Sequence, residues 1–252
     1  MRVLRYIVLI GLFLVSSYGT SLRSQVSLLE ASENIRLHSQ EIVKNYLYYY
    51  QSPQKKLQKK LIYDGLIKLD EQFRIIAKST KDDDSKDILT FLDYSKEKME
   101  EVLKDPFNKD NPALMLDYSE VLLEGADMIS INLNYTPSKE EKMLIKMKDI
   151  SFLIERMTKY YLAILIEEDN SIYKEMLDES IINMEKNLLY ISEYKYIDEN
   201  LLKLKELKQN WQVLRSFLKS AKEMKLPNII SLASLEVRID AQALENYHSK
   251  NQ

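Results

Sequence analysis

Four glycines and five prolines are the only strong backbone breakers in a chain of 252 residues, and this scarcity constrains the fold more than any motif does. Turn-rich sheet proteins draw heavily on both residue types, whereas long helices exclude them. With Leu, Lys, Glu, Ile and Met abundant, the chain reads as all-α. At 45% hydrophobic and 30% charged it is too apolar for disorder and has material for one or two packed domains. Seventeen tyrosines supply large amphipathic surfaces for helix packing, and each buried hydroxyl needs a partner.

The breakers and polar runs divide the chain into helices. Ser21 to Gln51 reads as one long helix. Ser52-Pro53 reads as an N-cap with Pro at the first helical position, opening a second helix to about Lys78 with Leu61, Leu66, Leu69, Phe73 and Ile76 inward. After the polar run Ser79 to Ser85, with Asp84 as a cap, a third helix covers Lys86 to Lys104 and stops before Asp105-Pro106. Asn111-Pro112 opens a fourth, to about Asn132. Ser138 and Glu141 stand in capping-box spacing ahead of a fifth helix containing Lys148 to Leu165. Three more follow: Ser171 to Tyr190, Ile197 to Met224 and Asn228 to Tyr247.

Part of this pattern repeats. Ile35 and Ile150, Lys44 and Lys159, Tyr46 and Tyr161, Leu47 and Leu162, and Pro112 and Pro227 are all separated by 115 residues. One recurring offset is the mark of a duplicated unit. The expected architecture is therefore two tandem antiparallel four-helix bundles, residues 22–134 and 135–252, with neighbouring helices crossing at roughly 20°.

The first 19 residues differ from the rest. Arg2 and Arg5 precede a ten-residue apolar core, Tyr6 to Val15, and Ser17-Tyr18-Gly19 places small residues where a cleavage site needs them. This is the pattern of a secretory signal peptide, being shorter than the roughly 20 apolar residues of a membrane span. The expected location is periplasmic; the alternative is an uncleaved helix anchoring the chain to the inner membrane, facing the periplasm. Without the two leader arginines, 34 basic residues stand against 39 acidic ones, a net charge of about −5. A net negative chain without a basic patch is a poor nucleic-acid binder. Cysteine is absent, which removes disulfides, thiolate metal sites and thiol nucleophiles.

Catalysis finds little to use. There are two histidines, His38 and His248 at the chain end, and no helix carries a metal-binding His-Glu-x-x-His or paired Glu-x-x-His arrangement. The Asp82-Asp83-Asp84 run lacks the ligand spacing and Gly of a calcium loop. No enzyme, cofactor or metal is expected. Trp211, among Leu204, Leu207, Leu214 and Leu218, reads as a core residue.

The stretch Ser32 to Tyr50 stands apart. At helical spacing Ile35, Ser39, Ile42, Tyr46 and Tyr49 form one seam, and Arg36, Gln40, Val43, Leu47 and Tyr50 form a stripe beside it. A cation, a hydroxyl and an amide thus lie where packing alone would ask for Leu. Such groups need a partner, a water or a ligand. The plain alternative is a helix whose first turns are exposed, with Arg36 paired to Glu33 or Glu41.

The run Arg36-Leu37-His38-Ser39-Gln40-Glu41-Ile42-Val43-Lys44 resembles the R-M-L-S-Q-R-M-A-K signature of the PilJ-type domain, the N-terminal sensor region of type IV pilus chemotaxis transducers. That domain is similar to the sensor domain of NarX-like nitrate/nitrite kinases. Arg36, Ser39, Gln40 and Lys44 match, Glu41 replaces an Arg, and Glu33 stands in place of a glycine. In the second unit only Arg156, Met157 and Lys159 recover the signature, while Ser151 and Glu155 occupy the Arg36 and Gln40 positions. In NarX-like relatives the Arg matching Arg36 contributes to an anion site at a subunit interface, paired across a twofold with its symmetry mate. A guanidinium suits this role as a fixed, permanently charged fork of donors.

The resemblance implies an exported sensory module. Arg36, Ser39 and Gln40 would bind a small anion or carboxylate, and a separate membrane chemoreceptor or sensor kinase would read the outcome, with a homodimer as one arrangement. The alternative is an exported helical scaffold or adaptor that binds a protein partner and no small ligand.

Overall fold

The computed structural model describes residues 2–80, 83–131, 133, 135–167, 170–220 and 225–251, with side chains from residue 24 onward. The expected leader, residues 1–19, lies outside the residues whose side chains are described. Among the described residues every regular element is an α-helix: α1 (Arg2–Gln51), α2 (Lys56–Ser79), α3 (Asp83–Lys104), α4 (Asn111–Ile131), α5 (Lys139–Ile166), α6 (Ser171–Ser192), α7 (Asp198–Lys219) and α8 (Pro227–Lys250). None of these is long and apolar enough to cross a membrane.

Local chemistry explains most boundaries. The Ser138 hydroxyl accepts from the Glu141 amide while the Glu141 carboxylate accepts from the Ser138 amide, a reciprocal cap that satisfies two otherwise orphaned donors. Asn170 accepts from the Ile172 amide to open α6. Pro227 begins α8, where its missing N–H costs nothing.

Ser52-Pro53 behaves differently from the expectation. Ser52 closes the last turn of α1 by donating to the Tyr49 carbonyl, and its own carbonyl accepts from the Lys55 amide. Pro53 therefore occupies the second position of a tight turn, which its fixed φ also favours. As a result α2 starts at Lys56. At the far end of α7 the helix stops at Lys219, short of the expected Met224; residues 221–224 lie outside the described residues.

Helix α1 packs against α2, α4 and α5, and α5 packs against α1, α6 and α8; α3 lies on α4, and α7 on α8. The two central helices are consequently the most deeply buried. Ile35, Ser39, Ile42 and Tyr46 are fully enclosed, and so are Gln40, Val43 and Leu47 of the neighbouring stripe. In α5 nearly every side chain from Ile150 to Ile164 is inside. Each fully buried Ile or Leu contributes about 1.5–3 kcal/mol, and one continuous apolar core runs through the α1–α5 contact. Arg36 meets Asp149 and Lys44 meets Glu155, so the two central helices run parallel.

The 115-residue offset extends to the helix boundaries. Gln51 and Ile166 end α1 and α5, Lys56 and Ser171 start α2 and α6, and Asp83–Lys104 corresponds to Asp198–Lys219. Contacts repeat at the same offset. Asn34 bonds Gln72 as Asp149 bonds Asn187.

Candidate functional site

Polar groups concentrate on the faces where α1 and α5 meet each other and their neighbours. Because these helices are central, charges there are largely desolvated, and each must be compensated.

Arg36 is the best-compensated cation in this region. Its guanidinium contacts Glu33 at 2.8 Å, Asp127 of α4 at 3.0 Å and Asp149 of α5 at 3.1 Å, and it lies over the Phe152 ring at 4.4 Å. Burial opposes its charge, but the three carboxylates outweigh that and raise its pKa above the usual value. The pKa values of Glu33 and Asp127 shift up as well, which for a carboxyl favours the neutral form. Burial, aided by the like charge of Asp149, raises both carboxyls despite Arg36. Lys148 donates to Asn34 at 3.2 Å, and Lys146 approaches Asp149 at 3.8 Å.

Ser39 and Gln40 are fully buried one turn on. The Ser39 hydroxyl donates to the Arg36 carbonyl at 2.9 Å, a local back-bond within the helix. The Gln40 amide donates to the Ser39 hydroxyl at 3.1 Å and toward the Ser119 carbonyl at 3.5 Å, while its Oε1 has no hydrogen-bond partner. The three expected site residues are therefore adjacent, but the Arg36 fork is already occupied by the chain's own carboxylates. The expected pairing with Glu33 is present; Glu41 instead faces His38 and Arg238.

Two further charged groups lie along α1 and α5. In one, Glu155 receives Lys44 at 2.6 Å and is also paired with Arg238, which in turn reaches Glu41 at 3.2 Å. Burial works against the Glu41 charge, but the His38 bond and the Arg238 and Lys44 charges hold its pKa well below the usual range. In the other, Lys159 is wholly enclosed. It donates to Glu120 at 2.5 Å and to the Ser119 hydroxyl at 3.0 Å. Burial brings its pKa down to about 8. Arg156 completes this group by pairing with Glu120 at 2.9 Å.

A fourth polar centre was not foreseen from the sequence. His248, expected at a loose chain end, is fully buried. Its Nδ1 lies 2.7 Å from Glu140, and the Tyr196 hydroxyl lies 2.6 Å from its Nε2. Tyr194 donates to the other Glu140 oxygen at 2.9 Å, and the Tyr247 ring packs edge-on at 5.0 Å from the imidazole. The only available signal was the density of tyrosines near residues 190–196 and 247.

The arrangement offers recognition chemistry: fixed cations, hydroxyls and amides between packed helices. Among the described residues no group of three or more His, Asp or Glu is disposed to hold a metal. In comparisons with known proteins no family model matches the chain, and no curated protein or solved structure matches it.

Proposed function

We propose that the chain is an exported sensory module of the PilJ/NarX-like kind. In this reading two four-helix units, related by duplication, pack as an internal pair. A small ligand shifts the fit between the units, and a separate membrane receptor or kinase reads the change. The observation that carries the reading is the parallel α1–α5 seam, where Arg36 reaches across to Asp149. In NarX-like relatives the matching Arg faces its symmetry mate across a subunit twofold. Here the partner unit presents Ser151 at the Arg36 position and supplies a carboxylate from Asp149 instead. Seams built from ions and hydroxyls settle in discrete arrangements, which is what a transmitting interface requires.

In this scheme a ligand anion must displace Asp127 and Asp149 to reach Arg36. The scaffold reading draws on the same geometry, because three carboxylates already surround the Arg36 guanidinium.

A thermal-shift series with nitrate, nitrite, other oxyanions, carboxylates and amino acids separates the two, since a ligand bound only by the native state raises the melting temperature. The sensor predicts a dose-dependent rise for at least one compound. For an anion at Arg36, the rise is reduced in Arg36→Lys, which keeps the charge but loses the fork. It is restored or enlarged in Asp127→Asn/Asp149→Asn. A flat response across the whole series in every variant leaves the scaffold.

A further inference from the structure

Helices α2 and α6 start at equivalent places in the two halves, Lys56 and Ser171, and each leaves an aliphatic side chain uncovered at its second position. Leu57 is 62% exposed and Ile172 58%. Around these two residues the charge is opposite. Lys55, Lys56, Lys59 and Lys60 surround Leu57, with Asp64 one turn further on. The corresponding stretch of α6 carries Glu175, Asp178 and Glu179 against Lys174 alone. Each helix also has a neighbour from the other half. Helix α8 lies beside α2 around a recess bordered by Leu57, Ser231 and Leu235, and α4 lies beside α6 around an open recess of about 500 Å³ bordered by Leu114, Asp117, Glu167 and Tyr173. These neighbours extend the contrast, because exposed Leu232 of α8 stands where α4 has exposed Asp117.

Charges that pair inward belong to neither face. Arg238 is held by Glu155 and Glu41, and Glu120 by Lys159 and Arg156. Within residues 55–64 and 227–238, four lysines then stand against Asp64 and Glu236; within residues 170–179 and 112–123, Lys174 stands against Asp117, Glu175, Asp178 and Glu179. The α2–α8 face is positive by two charges and the α4–α6 face negative by three. At the rim of the larger recess Lys109 and Asp110 cancel, and Glu167 adds a negative charge. The one ion pair among these described groups joins Lys60 to Asp64 at 3.7 Å. Because α1 and α5 run parallel and carry the repeat, an approximate twofold axis along the seam relates the halves. It sets the two faces on opposite sides of the molecule and at the same height.

We propose that the chain assembles side by side with copies of itself, the α2–α8 face of one copy docking on the α4–α6 face of the next. Lys56, Lys59 and Lys60 meet Glu175, Asp178 and Glu179 of the neighbouring copy, while Leu57 and Leu232 enter its open recess. Complementary charge selects the partner and sets the register. A contact between two different faces leaves one of each unused at the ends, and because the faces lie opposite one another the row extends without closing. This assembly uses neither Arg36 nor the α1–α5 seam, so it stands or falls independently of the sensory reading.

Two neutralised proteins isolate the faces: Lys56→Gln/Lys59→Gln/Lys60→Gln and Glu175→Gln/Asp178→Asn/Glu179→Gln. All six positions are exposed, and cooperative melts followed by circular dichroism establish that both variants fold. Sedimentation velocity of the full chain over a concentration series at low salt is expected to show a mass rising past the dimer. At about 1 M salt, where the Debye length is about 3 Å, the monomer is expected. Each variant alone stays monomeric at low salt. Their equimolar mixture forms a one-to-one dimer and nothing larger, since one protein keeps only the acidic face and the other only the basic one. A wild type that stays monomeric or stops at the dimer overturns the proposal, as does a variant that assembles like wild type or a mixture that forms no dimer. If a monomeric wild type instead co-sediments with phosphatidylglycerol vesicles but not phosphatidylcholine vesicles, and the lysine variant with neither, self-assembly is wrong and the basic face belongs to an anionic membrane surface.

Discussion

His248 shows how a single side chain ties the chain end to the fold. Burial lowers its pKa, with Glu140 only partly offsetting the effect. The unfolded chain takes up this proton near pH 6.5 and the folded chain only at lower pH. Between the two values the unfolded state binds more protons, so stability is fully present above about pH 6.5 and declines as the pH falls below it. Urea midpoints at pH 7.5 and 5.5 check this. The acid-side loss is expected to shrink in His248→Asn and to persist in His38→Asn; equal losses in all three proteins would exclude the mechanism. The stripe of Arg36, Ser39 and Gln40 could be read from helical spacing, as could the pairing of Arg36 with Glu33, three residues away. The other partners were not legible. Asp127 and Asp149 come from α4 and α5, and periodicity does not reveal which acids another helix brings. His248 is a stronger case, because its burial depends on Tyr194, Tyr196 and Glu140, all more than 50 residues distant in sequence.

At the scale of elements, the helices were legible where a short-range device sets them. The Ser138 capping box, the Asn170 cap and Pro227 at the first turn all act within a few residues. Ser52-Pro53 was misjudged because the same dipeptide suits a helix start and a tight turn, and the choice depends on how α1 and α2 meet. That meeting requires Gly65. A Cβ built there lies 2.5 Å from Cγ1 of Ile42, and Ile42 is fully enclosed with nowhere to move. Gly65→Ala improves intrinsic helix propensity by about 1 kcal/mol but forces overpacking that costs about 1–3 kcal/mol. A net loss of stability is expected in denaturant unfolding, and a stabilised variant would mean that α1 and α2 can separate at little cost. Ser180 occupies the corresponding place on α6, where another small buried residue meets the same need.

At the scale of the molecule, the parallel α1–α5 contact was not foreseen, since tandem units are equally compatible with an end-to-end arrangement. Each half presents at this contact a face whose charges are answered by the other. Residues 22–134 alone lose Asp149 and Glu155 from Arg36 and Lys44; residues 135–252 alone leave Glu155 with Arg238 but without Lys44. Expressed separately, each half is expected to melt well below the full chain, and mixing is expected to recover a one-to-one complex in size-exclusion chromatography. Two halves that melt independently at the full chain's temperature would show the seam to be passive. The sole tryptophan makes this division observable. Trp211 is enclosed on α7, and its indole N–H has no acceptor, while the first half contains only tyrosine and phenylalanine as aromatic rings. Excitation near 295 nm therefore lights one half and leaves the other dark. Emission wavelength and circular dichroism followed through the same melt become separate clocks, one for the second half and one for the whole.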